Sequence, residues 1–175
     1  MIGTIVKLIL GVVVIGAVVV GVAAVLPSPS TCTAEATPGT AATAQAKWDA
    51  WAGGSGGSSV TFTEGDATAI LRAHLGTGTP LVDPVVHFCA DGTAQVSFGF
   101  KAGPMTLRGA ADGTISATSP LSVTVTSVRV GALPSAVSDP IVNAVKGVAS
   151  DAGSLGLVGP VQTVTVTKGQ VVVAK

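Results

Sequence analysis

The longest uninterrupted apolar stretch of the chain runs from Leu8 to Leu26 and contains no charge, amide or hydroxyl. As a helix, with a rise of about 1.5 Å per residue, this run is about 28 Å long, close to the ~30 Å hydrocarbon core of a bilayer. The pattern predicts a transmembrane helix that makes residues 1–26 a membrane anchor. The alternative is a cleaved signal peptide with Ala34-Glu35-Ala36 as its small-x-small cleavage site, although the apolar core of a signal peptide is usually only about 7–15 residues long.

Positive charge lies on one side of this run. Lys7 precedes it, and the next basic residue is Lys47. Because short, positively charged flanks stay in the cytoplasm, we expect a single-pass protein of the cell membrane with a cytoplasmic amino terminus. The domain that follows the anchor is then extracytoplasmic.

Residues 27–59 indicate a flexible linker that contains one short helix. Pro, Ser and Thr dominate residues 27–40, and residues 53–59 are Gly and Ser, so neither stretch has the apolar content to fold alone. Between them, an Ala-rich segment places Trp48 and Trp51 three residues apart, on one face of a helix. These indoles either pack on the folded domain or lie at the level of the lipid headgroups, where Trp is enriched.

The folded domain, residues 60–175, begins with a short strand at 60–62 and a strongly patterned helix. Thr63 is a good N-cap residue, and Asp66, three residues later, completes a relative of the capping box. An apolar stripe follows and ends at Gly76, a typical stop signal. The members of the stripe are Ala67, Ile70, Leu71, His74 and Leu75.

Period-two alternation of apolar and polar residues predicts strands for most of the remaining domain. The predicted strands are 84–90, 94–101, 105–111, 114–117, 121–130, 161–167 and 170–174. Asp-Gly pairs at 91–92 and 112–113 are typical of tight turns, and a change of phase near Thr126 and Ser127 indicates either a β-bulge or a strong twist of the strand. A second helix is predicted at 138–149, before the closing hairpin.

Composition and charge exclude one class of partner. The chain has no net charge, only 10% charged residues and a mean hydropathy of +0.67. Phosphate binding needs a basic patch, and the basic residues of this chain do not cluster. We therefore expect no nucleic-acid partner.

The two cysteines, Cys32 and Cys89, are most simply a disulfide in an oxidising compartment. Such a bond ties the start of the linker to a strand of the domain. The alternative is a pair of unpaired, partly buried thiols. No metal site is predicted, because no second Cys stands at a short spacing and His74 and His87 belong to unrelated elements.

Catalysis has little support in the sequence. There is no Gly-x-Ser-x-Gly elbow, phosphate-binding loop or His-Glu-x-x-His motif. Four of the nine acidic residues stand in predicted turns or caps, where structure explains them. Glu64 lies in a first helical turn, where the helix dipole favours an acid. We therefore expect neither an enzyme nor a cofactor.

The order of elements from VTFTEGDATAILRAHL through SVTVTSVRVGALP to the closing hairpin resembles single-pass bacterial envelope proteins of the YpmS-like and LmeA-like kind. Those proteins look like relatives of the tubular lipid-binding (TULIP) superfamily, in which a long curled antiparallel sheet wraps a helix around an apolar groove. The expected fold class is therefore α+β: an N-terminal transmembrane helix followed by a mostly antiparallel, curled β-sheet packed against two helices.

The resemblance implies a groove between helix and sheet that holds an acyl chain. The residues that we place in it are Ile70, Leu71, Phe88, Phe98, Phe100, Val145 and Val148. The alternative is that these side chains are simply the core, because a small domain needs nearly all its large apolar residues there.

Two functions of different class follow from these patterns. In the first, the domain binds membrane lipid or another hydrophobic ligand at the outer face of the membrane. In the second, it is a structural or scaffolding protein that contacts other envelope proteins through a sheet edge such as 170–174. An exposed edge without Lys or Pro is open to such pairing.

Overall fold

The computed structural model describes residues 32, 39–75, 79, 81–102, 105–118, 121–131, 139, 142–143 and 160–175. This part of the chain has an α+β fold with two helices and two antiparallel sheets. The helices are α1 (Ala41–Ala52) and α2 (Glu64–His74). The strands are β1 (Ser59–Thr63), β2 (Leu81–Phe88), β3 (Ala94–Ala102), β4 (Met105–Ser116), β5 (Ser122–Val130), β6 (Thr163–Thr167) and β7 (Gln170–Ala174).

The strands form two separate sheets, so the expectation of one curled sheet is wrong. One sheet has the strand order β1-β7-β6, the other has the order β2-β3-β4-β5, and neither is curled. The reason lies in β1, which is followed directly by α2 and has no hairpin partner beside it in the sequence. It pairs instead with the C-terminal strand, where Phe62 stands opposite Val171.

The expected transmembrane helix is the second correction to the fold class. The helices α1 and α2 have 12 and 11 residues, and neither they nor any other helix in the described ranges is long and apolar enough to cross a membrane. The run from Leu8 to Leu26, on which the expectation rested, lies outside the described residues. Most of the second expected domain helix, at 138–149, lies outside them as well.

Helix α1 packs against the folded domain through its two indoles. Trp48 and Trp51 are 3% and 1% exposed, and their ring centroids lie 5.2 Å apart. The ring of Trp48 also lies 6.1 Å from that of Phe62 on β1. Of the two positions open to these residues, packing on the domain is the one observed.

The capping box that starts α2 is confirmed. The Thr63 hydroxyl oxygen accepts a hydrogen bond from the Asp66 amide at 3.2 Å, and Asp66 Oδ2 accepts one from the Thr63 amide at 3.2 Å. Asp66 also accepts a 2.6 Å hydrogen bond from Lys47 Nζ, which joins α1 to α2. Burial raises the pKa of Asp66, but the contacts with Lys47 and Thr63 outweigh it and lower that pKa below its usual range.

The first Asp-Gly turn is confirmed, and the second is wrong. Gly92 has a φ of +84°, as a tight turn between β2 and β3 requires. Residues 112–113 instead lie inside the continuous strand β4. Asp112 is held there because its carboxylate accepts hydrogen bonds from Gln95, Ser127 and Arg129 on the flanking strands.

The predicted bulge in β5 is confirmed. Gly113 stands opposite Val125, whereas the preceding residue, Asp112, stands opposite Ser127, so Thr126 is the extra residue. The valines alternate in a different phase before and after the bulge. Because the bulge adds one residue, the valines of both halves point to the same face of the sheet. This face is the inner one, directed at the cavity described next.

Candidate functional site

An apolar cavity lies between α2 and the inner face of the four-stranded sheet. Its volume is about 200 Å³. An engineered protein cavity of about 150 Å³ lined by Leu, Ile and Phe stays dry and holds one benzene molecule. The cavity therefore has room for a small apolar molecule or for a segment of one hydrocarbon chain.

The floor of the cavity is made of small residues on the central strands. Ala94 on β3 stands directly opposite Gly113 on β4, and Ala111, two residues before Gly113, points to the same face of the sheet. Ala94 and Ala111 are only 8% and 6% exposed. Space remains above these residues because none of them carries more than one side-chain carbon.

Larger side chains form the walls of the cavity. Helix α2 contributes Ala67, Ile70 and Leu71, and the sheet contributes Phe88, Phe98 and several valines. Helix α1 and strand β1 each add one aromatic ring to the lining, Trp48 and Phe62.

The lining offers almost no hydrogen-bonding group. Asp112 is the one polar residue among those that line the cavity in the described ranges. Its carboxylate is bound on the opposite face of the sheet, where Arg129 Nη2 lies 3.0 and 2.9 Å from its two oxygens. Burial raises the pKa of Asp112, but the contacts with Ser127, Gln95 and Arg129 outweigh burial and lower that pKa below its usual range. The carboxylate is therefore ionised and committed to its partners at neutral pH.

Two groups of lining residues are only half buried, so solvent reaches the cavity there. One group lies where α2 ends and β2 begins and consists of Leu71, Leu75 and Leu81. The other lies where β4 ends and β5 begins and consists of Ile115, Leu121 and Val123. We refer to the first group as the α2 mouth.

The structure brings four of the seven residues predicted for the groove to this cavity. Ile70, Leu71, Phe88 and Phe98 all line it. Phe100 does not, because it stands opposite Leu81 and Leu107 near the end of the sheet and packs in a second apolar cluster. The remaining two, Val145 and Val148, lie outside the described residues.

Other lining residues were not predicted from the sequence. Trp48 was assigned to a linker helix, yet its spacing from Trp51 already indicated an apolar face. Ala111 ends the predicted strand 105–111, where nothing in the sequence marks it as part of a cavity floor. Gly113 escapes prediction because the Asp-Gly pair at 112–113 has the composition of a turn.

Helix α2 lies along the free edge of β2 and satisfies its backbone groups with side chains. Glu64 Oε1 accepts a hydrogen bond from the Phe88 amide at 2.7 Å, Thr68 Oγ1 accepts one from the Val86 amide at 2.9 Å, and Arg72 Nε donates to the Pro84 carbonyl at 3.0 Å. The spacing of four residues places the three side chains on one helical face. This explains why Glu64 is only 1% exposed, and it fixes the helix above the cavity.

The predicted disulfide between Cys32 and Cys89 is present, with the two Cα atoms 5.5 Å apart. The Cys32 amide also donates a 3.1 Å hydrogen bond to Gln95 Oε1, on the face of the sheet opposite the cavity. The bond therefore ties the segment before α1 to the outer face of β2 and β3.

The described part of the chain contains no group of three or more side chains suited to a metal ion. His74 Nδ1 lies 2.9 Å from the Ile70 carbonyl oxygen, and His87 Nε2 lies 3.4 Å from Ser97 Oγ. The two histidines thus have separate partners, and the cavity is the feature of the described residues with the clearest capacity to bind another molecule.

No family model, curated protein or solved structure matches this chain. The resemblance to the TULIP superfamily accordingly stays a prediction.

Proposed function

We propose that this protein binds lipid or another hydrophobic ligand by its hydrocarbon part, in the cavity beneath α2. The observation that carries the proposal is a space of about 200 Å³ with an apolar lining and a floor of small residues. Solvent reaches this apolar lining at the two mouths of the cavity. A ligand that covers the lining removes apolar surface from water, which stabilises the complex by about 25 cal/mol per Å².

We further propose that the ligand is bound outside the cytoplasm. Disulfides persist in oxidising compartments and are rare in the cytosol, and the bond between Cys32 and Cys89 supports that placement.

The scaffolding alternative relied on a free sheet edge at strand 170–174, and this strand is not an edge. The strand Gln170–Ala174 pairs with β1 on one side and with β6 on the other, so it is the central strand of its sheet. Its backbone groups are already used, and they are not free to pair with a partner. We therefore do not propose a second function.

Native mass spectrometry of the full chain, followed by extraction and identification of what it carries, tests the proposal. We expect one apolar molecule per chain. Ala67→Asp places a charge in the wall of the cavity and abolishes this adduct, because a carboxylate buried without partners is strongly unfavourable. Ala46→Asp makes the same change at an exposed position of α1 and retains the adduct. A bare mass for the wild type, with no uptake from added lipid, would refute the proposal.

A further inference from the structure

The α2 mouth carries a fixed cation. Arg72 is exposed, and its Nε donates a 3.0 Å hydrogen bond to the carbonyl oxygen of Pro84. Pro84 itself lines the cavity, as do Leu71 and Leu75 on either side of Arg72 along the helix. The hydrogen bond therefore holds the guanidinium beside the opening.

This guanidinium is not committed to a carboxylate. Arg72 takes no part in the ion pairs Lys47–Asp66 and Arg129–Asp112, and among the described residues its side chain has the Pro84 carbonyl as its partner. A guanidinium has five N–H donors in a planar fork that matches carboxylate and phosphate groups. Four of those donors have no partner among the described residues.

Arg72 is the cation that faces the α2 mouth. Lys101 is exposed at the same end of the sheet, but it alternates with Phe100, so its side chain leaves the opposite face. Asp83 is the acidic residue at this end among the described residues, and it makes no ion pair with Arg72. The guanidinium is therefore available to an anionic group at the opening.

The size of the cavity limits the ligand to one chain. Benzene, with six carbons, occupies a cavity of about 150 Å³, so in proportion about 200 Å³ accommodates about eight carbons of a single chain. Since the lining donates and accepts no hydrogen bonds inside the cavity, a polar head stays at the mouth.

From these observations we infer that the ligand is a single-chain anionic amphiphile, and that Arg72 binds its head while the cavity takes about eight carbons of its tail. The inference rests on the proposed function and adds the ligand class and the residue that selects it. The head is a carboxylate or a phosphate, because both match the guanidinium fork.

Trp48 provides a direct readout, because it lines the cavity and bromine quenches indole fluorescence on contact. In the full chain with Trp51→Phe, Trp48 is the remaining tryptophan of the two. We would titrate this protein with 8-bromooctanoate and with 8-bromooctan-1-ol, which share a tail and differ in the charge of the head. We expect the carboxylate to bind about three- to fivefold more tightly than the alcohol, which is the upper part of the range for an exposed ion pair.

Arg72→Gln should reduce this preference to about onefold and leave the affinity for the alcohol unchanged. Lys168→Gln removes an equal charge from the exposed turn between β6 and β7 and should retain the preference. Octyl phosphate distinguishes the two heads: a larger Arg72-dependent preference for it than for octanoate identifies a phosphate-headed ligand. In a series of saturated carboxylates, affinity should rise about fourfold per methylene up to about eight carbons and much less beyond.

The outcomes separate the two levels of the argument. Quenching by neither bromoalkyl compound would refute the proposed function itself. Quenching by both, with a preference that Arg72→Gln does not change, would refute the role of Arg72 and leave the cavity as a binding site. An affinity that continues to rise fourfold per methylene well past eight carbons would refute the limit on tail length.

Discussion

Filling the cavity from its floor is the sharpest test of whether it is a binding site. Ala111→Leu adds three carbons at the centre of the floor, at a residue that is 6% exposed and lines the cavity. At about 0.8 kcal/mol for each buried CH₂, the added side chain stabilises the empty protein by up to about 2 kcal/mol. For a domain of this size, that corresponds to a rise in Tm of about 4–8 °C.

The same substitution should remove the response to ligand. A ligand at a hundred times its Kd adds about 2.7 kcal/mol to the free energy of unfolding, and we expect this increment in the wild type with 8-bromooctan-1-ol. In Ala111→Leu the increment should fall to near zero, because the new side chain occupies the space of the ligand. Urea unfolding with and without ligand measures both quantities. Ala50→Leu, at an exposed position of α1, is the matched control and should change neither.

Two results would refute this reasoning in different ways. A loss of more than about 1 kcal/mol in Ala111→Leu would show that the floor is already well packed, since overpacking a core typically costs about 1–3 kcal/mol. A gain in stability with undiminished binding would show that the space exists but that the ligand binds elsewhere.

Three further predictions concern the residues that hold the fold around the cavity. Glu64→Ala leaves the Phe88 amide buried without its acceptor and should lower the free energy of unfolding by about 2–3 kcal/mol, whereas Glu64→Gln, which keeps an acceptor oxygen, should lose less in the same denaturation assay. The pKa of Asp66 is lower in the folded protein than the unfolded value of about 3.9. The stability that this carboxylate contributes is therefore present above about pH 4 and is lost as the pH falls through the folded pKa. In unfolding measured from pH 2 to 7, Asp66→Asn should lose less stability on acidification than the wild type. Cys89→Ser opens a loop with a sequence separation of 57 residues and should destabilise by about 4 kcal/mol, and a reducing agent should have no further effect on that variant.

Local patterns in the sequence predicted the elements with strong local signals. The capping box at Thr63 and Asp66, the turn at Asp91-Gly92 and the bulge at Thr126 each depend on a few neighbouring residues, and each is present. Four of the residues predicted for the groove line the cavity because inward-facing positions follow from period and phase alone.

Long-range pairing was not predictable in this way. The sequence of β1 does not indicate that its partner is β7, which follows more than a hundred residues later. The Asp112-Gly113 pair likewise has the composition of a turn, although it lies within a strand. What keeps that pair in a strand is three donors on the two flanking strands, which no local window contains. Glu64 illustrates the same limit, since an acid in the first turn of a helix is ordinarily exposed, and its partner here is an amide 24 residues away.

The position of α2 explains how a space can persist beneath it. A helix that packs on a sheet through interdigitating apolar side chains settles until the voids between them close. The separation of α2 from the sheet is set instead by hydrogen bonds from Glu64, Thr68 and Arg72 to the edge of β2. Movement of the helix toward the floor would break these bonds, and leaving the buried Phe88 and Val86 amides unpaired costs about 1–3 kcal/mol each. One helix thus closes a sheet edge with its polar face and keeps a cavity open beneath its apolar face, and the third of its edge contacts places Arg72 at the entrance.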